Sequence, residues 1–255
     1  MPQLPAILVR FLEYELRPDQ IQSFKTLINS VVEGQIQEFH NHTGEGEQTL
    51  LGYPSIQYRS IKTEMIHESG YRKFFYLAGL FAVGKGVGVV MNFLEYVRAN
   101  NAPRILLEFD IEDYSVELNL LNQPQKYKIN HWLPLNVSYR ADNHEKIDNF
   151  KIWTSNLSMV QRVQFLEGIL MGQIIDFCYA MGHQIPENQL KVTILDYHQL
   201  GAKNFTNNDK KGIHFEAFDV IYETNISLPD YIGLGKGKSK GFGWQTQTPF
   251  HWLKR

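Results

Sequence analysis

The sequence has a single cysteine, Cys178. One thiol cannot close an internal disulfide or build a cysteine-based zinc site, and its place in an apolar helical pattern marks it as reduced and buried. No apolar run reaches the roughly 20 residues of a membrane span. The opening MPQLPAILVRFLEYELRP is too short, and too polar in its flanks, for a signal peptide. A cytoplasmic protein with no membrane partner is the expectation. An excess of positive charge is also missing. The formal net charge is −2, so the chain is no polycation and any nucleic-acid surface has to be local. H-E-x-x-H and C-x-x-C do not occur, which removes the commonest zinc-protease and dithiol signatures.

What is present suits one large domain or two small ones. At 255 residues, 43% hydrophobic and 13% aromatic, the chain can bury a sizeable core. AILVRFLEYEL (6–16) reads as a strand. Pro18 and Asp19 then open a helix in which Ile21, Phe24, Leu27, Ile28 and Val31 recur at helical spacing. Residues 55–81 read as two strands with a turn at 68–70, 88–101 as a second helix, and 104–118 as a further strand. The order is β-α-β-β-α-β. The polar, proline-containing NQPQKYK (122–128) predicts a boundary, giving domains 1–122 and 123–255. Beyond it YKINHWLPLN reads as a strand. Residues 156–182 form a helix with Ser155 or Asn156 as N-cap and Gly182 just past its end. Residues 190–201 and 213–229 are strands, and 241–252 a last one. The second half is an imperfect echo of the first. Two helix-on-sheet units in tandem fit an α+β architecture with antiparallel sheets.

Four stretches carry chemistry. Between Gly233 and Gly243 lie five glycines and three lysines, in YIGLGKGKSKGFGWQ. Glycine lets a backbone take positive φ and approach a ligand, and exposed N–H groups can form a nest for phosphate oxygens. Lys236, Lys238 and Lys240 add charge, and Phe242 or Trp244 offers a ring for a base. The plain alternative is a flexible hairpin with solvated lysines; the aromatic strand that follows favours a phosphate backbone as ligand. GLFAVGKG (79–86) resembles a P-loop, but Gly86 stands where a magnesium-binding hydroxyl is needed, so a strand-to-helix turn is preferred. Acid-rich EFDIEDYSVE reads as a solvated strand face rather than a metal site. In FHNH, His40 and His42 are solvated loop residues, metal ligands, or an acid–base pair whose pKa suits moving a proton on and off a hydroxyl. Just downstream, YPSIQYRSIK brings Tyr53, Arg59 and Lys62, residues able to hold a phosphodiester.

SLPDYIGLGKGKSKGFGWQ (227–245) resembles the C-terminal glycine-rich signature of the CRISPR-associated repeat-RNA endoribonucleases of the RAMP superfamily. EFHNH with YPSIQYRSIK resembles the N-terminal part of one subgroup of them. The resemblance implies two tandem ferredoxin-like (RRM-like) β-α-β-β-α-β domains. It implies cleavage of precursor CRISPR RNA within the repeat, without metal or cofactor, by attack of a 2′-hydroxyl that leaves a 2′,3′-cyclic phosphate and a 5′-hydroxyl. On that reading His42 and His40 are the catalytic histidines, each as base or acid and able partly to substitute for the other, with His42 slightly favoured, and Tyr53 and Lys62 position the phosphate and steady its charge. Gly233, Gly235, Lys236, Gly237, Lys238, Lys240, Gly241, Phe242 and Gly243, with Arg59, hold the RNA. Partners are repeat RNA and subunits of a CRISPR effector complex, for a monomer or homodimer. The rival reading is a non-catalytic RNA-binding subunit of such a complex. It shares the fold and loop but needs no histidine pair. A nucleotide-binding protein using Gly79–Gly86 is a third reading.

Overall fold

The computed structural model describes residues 3–32, 39, 53–66, 70–100, 102–135, 137–139, 146–186, 188–206 and 212–248. The chain forms two compact units. The first holds the described residues up to Glu117 together with Ser239–Gly241. Its elements are β1 (Ala6–Glu15), α1 (Ile21–Val32), β2 (Ile56–Ile66), β3 (Arg72–Val83), α2 (Gly86–Ala99) and β4 (Phe109–Asp113). This is the β-α-β-β-α-β order that the periodicity predicts. The strands make one antiparallel sheet in the order β2-β3-β1-β4.

Both helices cover one face of that sheet. Ile21, Phe24, Ile28 and Val32 of α1 and Val90, Phe93, Leu94 and Val97 of α2 lie three or four residues apart, so each set forms one stripe. The stripes share a core with Val9, Phe11, Tyr58, Ala78 and Leu80 of the strands. Phe24 sits edge-on to Phe11, Tyr14 and Tyr58, with centroids 5.6, 5.3 and 5.7 Å away. Truncating such a ring costs about 3–5 kcal/mol. The expected strand over 104–118 is shorter: Pro103 leads into a 3-10 turn at Arg104–Leu106, and only Phe109–Asp113 pairs with β1.

The second unit runs from Leu118 to Lys238 and resumes at Phe242. It contains β5 (Leu120–Trp132), β6 (Val137–Tyr139), β7 (Lys146–Asp148), α3 (Asn149–Thr154), α4 (Met159–Ala180), β8 (Val192–Thr206), β9 (Gly212–Ile226) and β10 (Trp244–Gln247). β5, β8, β9 and β10 form an antiparallel sheet in the order β10-β5-β9-β8. Numbered within its own unit, each sheet therefore has the order 4-1-3-2. The echo fails at one point. Where the first unit places α2 between its third and fourth strands, the second places the glycine-rich segment, with only a 3-10 turn at Lys238–Lys240.

Three local expectations need correction. NQPQKYK, expected as a boundary, lies inside β5. Pro124 is accommodated there because β5–β9 pairing is irregular between Leu120 and Gln125, where a missing N–H costs no ladder bond. The N-cap of α4 is Ser158, not Ser155 or Asn156. Its side chain accepts from the Gln161 N–H while the Gln161 side chain accepts from the Ser158 N–H. Ser155 instead ends α3. The last strand stops at Gln247. Gly182 does follow α4, at φ +76°, with the His183 N–H on the Cys178 carbonyl. Cys178 is buried, and burial pushes its thiol up to about 12. Among the described residues, no helix is long and apolar enough to cross a membrane.

Candidate nucleic-acid interface

The glycine-rich segment folds as a hairpin of its own. Tyr231 N–H donates to the Gln245 carbonyl, Gln245 N–H to Ile232, Leu234 N–H to Gly243, and Phe242 N–H to Gly237. The Lys236 N–H reaches the Leu133 carbonyl, and the Gly243 N–H is shared by the Asn130 and His131 carbonyls. The N–H groups of Lys236, Phe242 and Gly243 are thus spent inside the protein, so an open nest at these positions is not what forms. Gly235, Gly237, Gly241 and Gly243 all take positive φ, and at Gly235 a Cβ would lie 2.9 Å from the Leu133 carbonyl oxygen. These glycines build the hairpin. The lysines are what it displays. Lys236 and Lys240 are exposed. Lys238 is half-buried; desolvation lowers its pKa, opposed by Asp176 and aided by Lys236. The Phe242 ring packs over Gly237, and Trp244 stacks on Tyr231 at 5.8 Å. The run Gly237–Gly241 also spells G-x-S-x-G. Ser239 nonetheless sits in a 3-10 turn, not on the strand-to-helix elbow that exposes a nucleophile.

His40 and His42 lie outside the described residues. The residues that flank them do not. Phe39 is buried, its ring 5.1 Å from Phe93 and its carbonyl 3.5 Å from the Tyr58 hydroxyl. Tyr53 precedes the start of β2. Arg59 has no solvent exposure; its guanidinium donates to the Tyr58 carbonyl at 2.9 Å and to Gln57 Oε1. Gln57 donates in turn to the Pro54 carbonyl at 3.1 Å. Burial pulls the Arg59 pKa down to about 10, and Tyr53 is near enough to oppose the shift. The structure therefore brings Phe39, Tyr53, Tyr58 and Arg59 together. Arg59 is withdrawn from solvent into the scaffold under Tyr53, rather than displayed to a ligand. Lys62 is not part of this group. It is exposed, with its ammonium 4.2 Å from the Phe74 ring centroid. It lies four residues beyond Tyr58, about 13 Å at roughly 3.3 Å per strand residue.

The strand-to-helix turn preferred for Gly79–Gly86 is what forms, between β3 and α2, and the rival P-loop reading fails. The Gly84 N–H is bonded to the Pro5 carbonyl and the Val83 N–H to Ser55, so neither is presented to a phosphate. A Cβ on Gly86 would lie 2.3 Å from the Ser55 carbonyl oxygen, which leaves no room for a hydroxyl side chain. The glycines serve a strand-to-helix turn. Gly86→Ser, which completes the P-loop consensus, is expected to destabilise by about 1–3 kcal/mol and to confer no binding in a magnesium–ATP titration. Asp110 and Glu112 are engaged as well: Arg10 bridges both carboxylates, at 3.0 and 2.8 Å for Asp110.

Two antiparallel sheets, each ordered 4-1-3-2 and backed by helices, define a tandem ferredoxin-like α+β protein. The chain belongs to the Cas6b family: the Cas6b N-terminal domain matches residues 3–67 and the Cas6b C-terminal domain residues 119–248. A solved Cas6b structure superposes with a TM-score of 0.67 at 20% identity, over 97% of this chain and 100% of that one. A second, a CRISPR RNA processing endoribonuclease Cas6b, gives 0.63 at 19% identity over the same shares. An uncharacterised protein of Methanocaldococcus jannaschii is 29% identical over 133 residues, 52% of this chain and 76% of that protein.

Proposed function

We propose that the protein cleaves precursor CRISPR RNA within the repeat, by attack of a 2′-hydroxyl on the adjacent phosphate without a metal ion. Membership of the Cas6b family carries this reading, since a solved protein of the same name is a CRISPR RNA processing endoribonuclease. The chemistry needs a base for the 2′-hydroxyl, an acid for the leaving 5′-oxygen, and donors for the charged phosphorane. His42 and His40 supply the first two. Phe39 and Tyr53 are the described residues on either side of their segment, and Tyr53 is near enough to Arg59 to act on its charge; on this reading Tyr53 orients the phosphate. Lys62, further along β2, contacts RNA away from the cut. Lys236 and Lys240 of the hairpin take backbone phosphates.

The experiment is cleavage of a cognate repeat RNA in excess EDTA, beside the same RNA with one 2′-deoxy nucleotide just upstream of the cut. The first is expected to be cut to a 2′,3′-cyclic phosphate and the second to stay intact. Tight binding with no cutting of the all-ribose RNA moves the assignment to a non-catalytic RNA-binding subunit.

A further inference from the structure

Lys25 is the residue that the sequence pattern passes over. It lies on α1 between two core positions, Phe24 and Ile28, and reads as one polar residue on an amphipathic helix. In the fold its ammonium is 5.8 Å from the centroid of the Tyr58 ring. The stretch Ser239–Gly241 belongs to the same compact unit. There a Cβ on Gly241 would lie 2.3 Å from Ile21 Cδ1 and 3.5 Å from the Tyr58 carbonyl oxygen, so the backbone at Gly241 lies directly on α1 and β2. This contact sets Lys240 beside Lys25. The Lys25 pKa is lowered, first by desolvation and then by the charge of Lys240. Among the described residues, no carboxylate forms an ion pair with either lysine.

Two neighbouring cations, one of them partly buried and neither paired with a carboxylate among the described residues, repel each other and cost stability. A bound anion removes that cost. We infer that Lys25 and Lys240 form one phosphate subsite, set beside Tyr58 and the buried Phe39 that precedes the histidine pair, and that it takes a backbone phosphate of the repeat RNA. This rests on the endoribonuclease reading for its ligand and deepens it. To the positive group that the resemblance assigns to Lys62 it adds one supplied by a helix and a hairpin segment that are remote in the chain.

The test uses the full chain, with Lys25→Gln, Lys25→Arg, Lys240→Gln and the double glutamine variant, and a repeat RNA made uncleavable by a 2′-deoxy nucleotide. Dissociation constants are measured across a salt series. Lys25→Gln is expected to weaken binding about tenfold at low salt and to lower the log–log salt slope by about 0.7, the value for one phosphate contact on a single strand. Lys25→Arg restores both. The double variant loses less than the two singles combined, since they share one phosphate. In parallel, thermal unfolding without RNA is followed with inorganic phosphate against chloride at equal ionic strength. Phosphate is expected to raise the midpoint of the wild type and not of Lys25→Gln. Unchanged affinity and slope in Lys25→Gln, with the wild type binding tightly, overturns the subsite and leaves the nuclease reading standing. A wild type that ignores repeat RNA but keeps a Lys25-dependent response to phosphate overturns the RNA ligand and the nuclease reading, leaving only an anion site. Loss of both responses in every variant, Lys25→Arg included, marks a structural role and overturns the inference.

Discussion

Replacing His40 and His42 together with alanine is expected to leave RNA affinity within about twofold of wild type and to slow single-turnover cleavage about a thousandfold, the typical contribution of positioned acid–base groups. The two effects are expected to separate because the proposed grip and the proposed chemistry belong to different segments of the chain. The hairpin between Gly233 and Gly243 is held by its own backbone bonds and by carbonyls of Asn130, His131 and Leu133. The single variants then distinguish two arrangements. If one histidine is base and the other acid, each single variant loses nearly as much as the double, because groups that act as a unit are non-additive. If either histidine can stand in for its neighbour, each single variant keeps most of the rate. A double variant that cleaves at the wild-type rate removes the histidine pair from the active site and leaves the family fold without an assigned centre.

How much of this was legible depends on the range of the signal. Periodicity is local, and it placed α1 and α2 because Ile21, Phe24 and Ile28, or Val90, Phe93 and Val97, declare their shared face within a few turns. The same rule failed on β6, β7 and α3, which are too short to show a period. It misread Pro124, because a proline inside a strand looks like a break unless the partner's register is known. The glycine hairpin was legible as a composition but not as a shape. Glycines that looked like openings for a ligand are spent on positive φ and on close packing against Trp132 and Leu133. Arg59 reads as a residue able to hold a phosphodiester and is buried against Gln57 and the Tyr58 carbonyl. Lys25 gave no signal, since its partner Lys240 is near it only after folding. Charges are read from sequence as a list, whereas their meaning depends on neighbours that the chain brings from far away.

Gly243→Ala is expected to lower the stability of the second unit by about 3 kcal/mol or more. Gly243 sits at φ +64°, where a Cβ costs about 1–2 kcal/mol. That Cβ would also lie 2.0 Å from the Leu234 carbonyl oxygen and 3.1 Å from its carbon. Both atoms are backbone, so no rotamer change relieves the overlap, and overpacking adds about 1–3 kcal/mol. Any backbone shift that does relieve it pulls the Gly243 N–H from Asn130 and His131 and its carbonyl from the Leu234 N–H. A loss of this size lowers the thermal midpoint by roughly 10 °C in a chain of this length, and RNA affinity should fall with it because the lysines lose their mounting. Gly182→Ala is the matched control. It too has positive φ, at +76°, but a Cβ there meets nothing within 4 Å. Its cost is the conformational one alone, about 1–2 kcal/mol, and RNA binding should not change. Equal small losses in the two variants would mean that the hairpin yields easily. The lysines would then be carried on a pliant loop, and rigid display of Lys236 and Lys240 could not be the reason for the glycines.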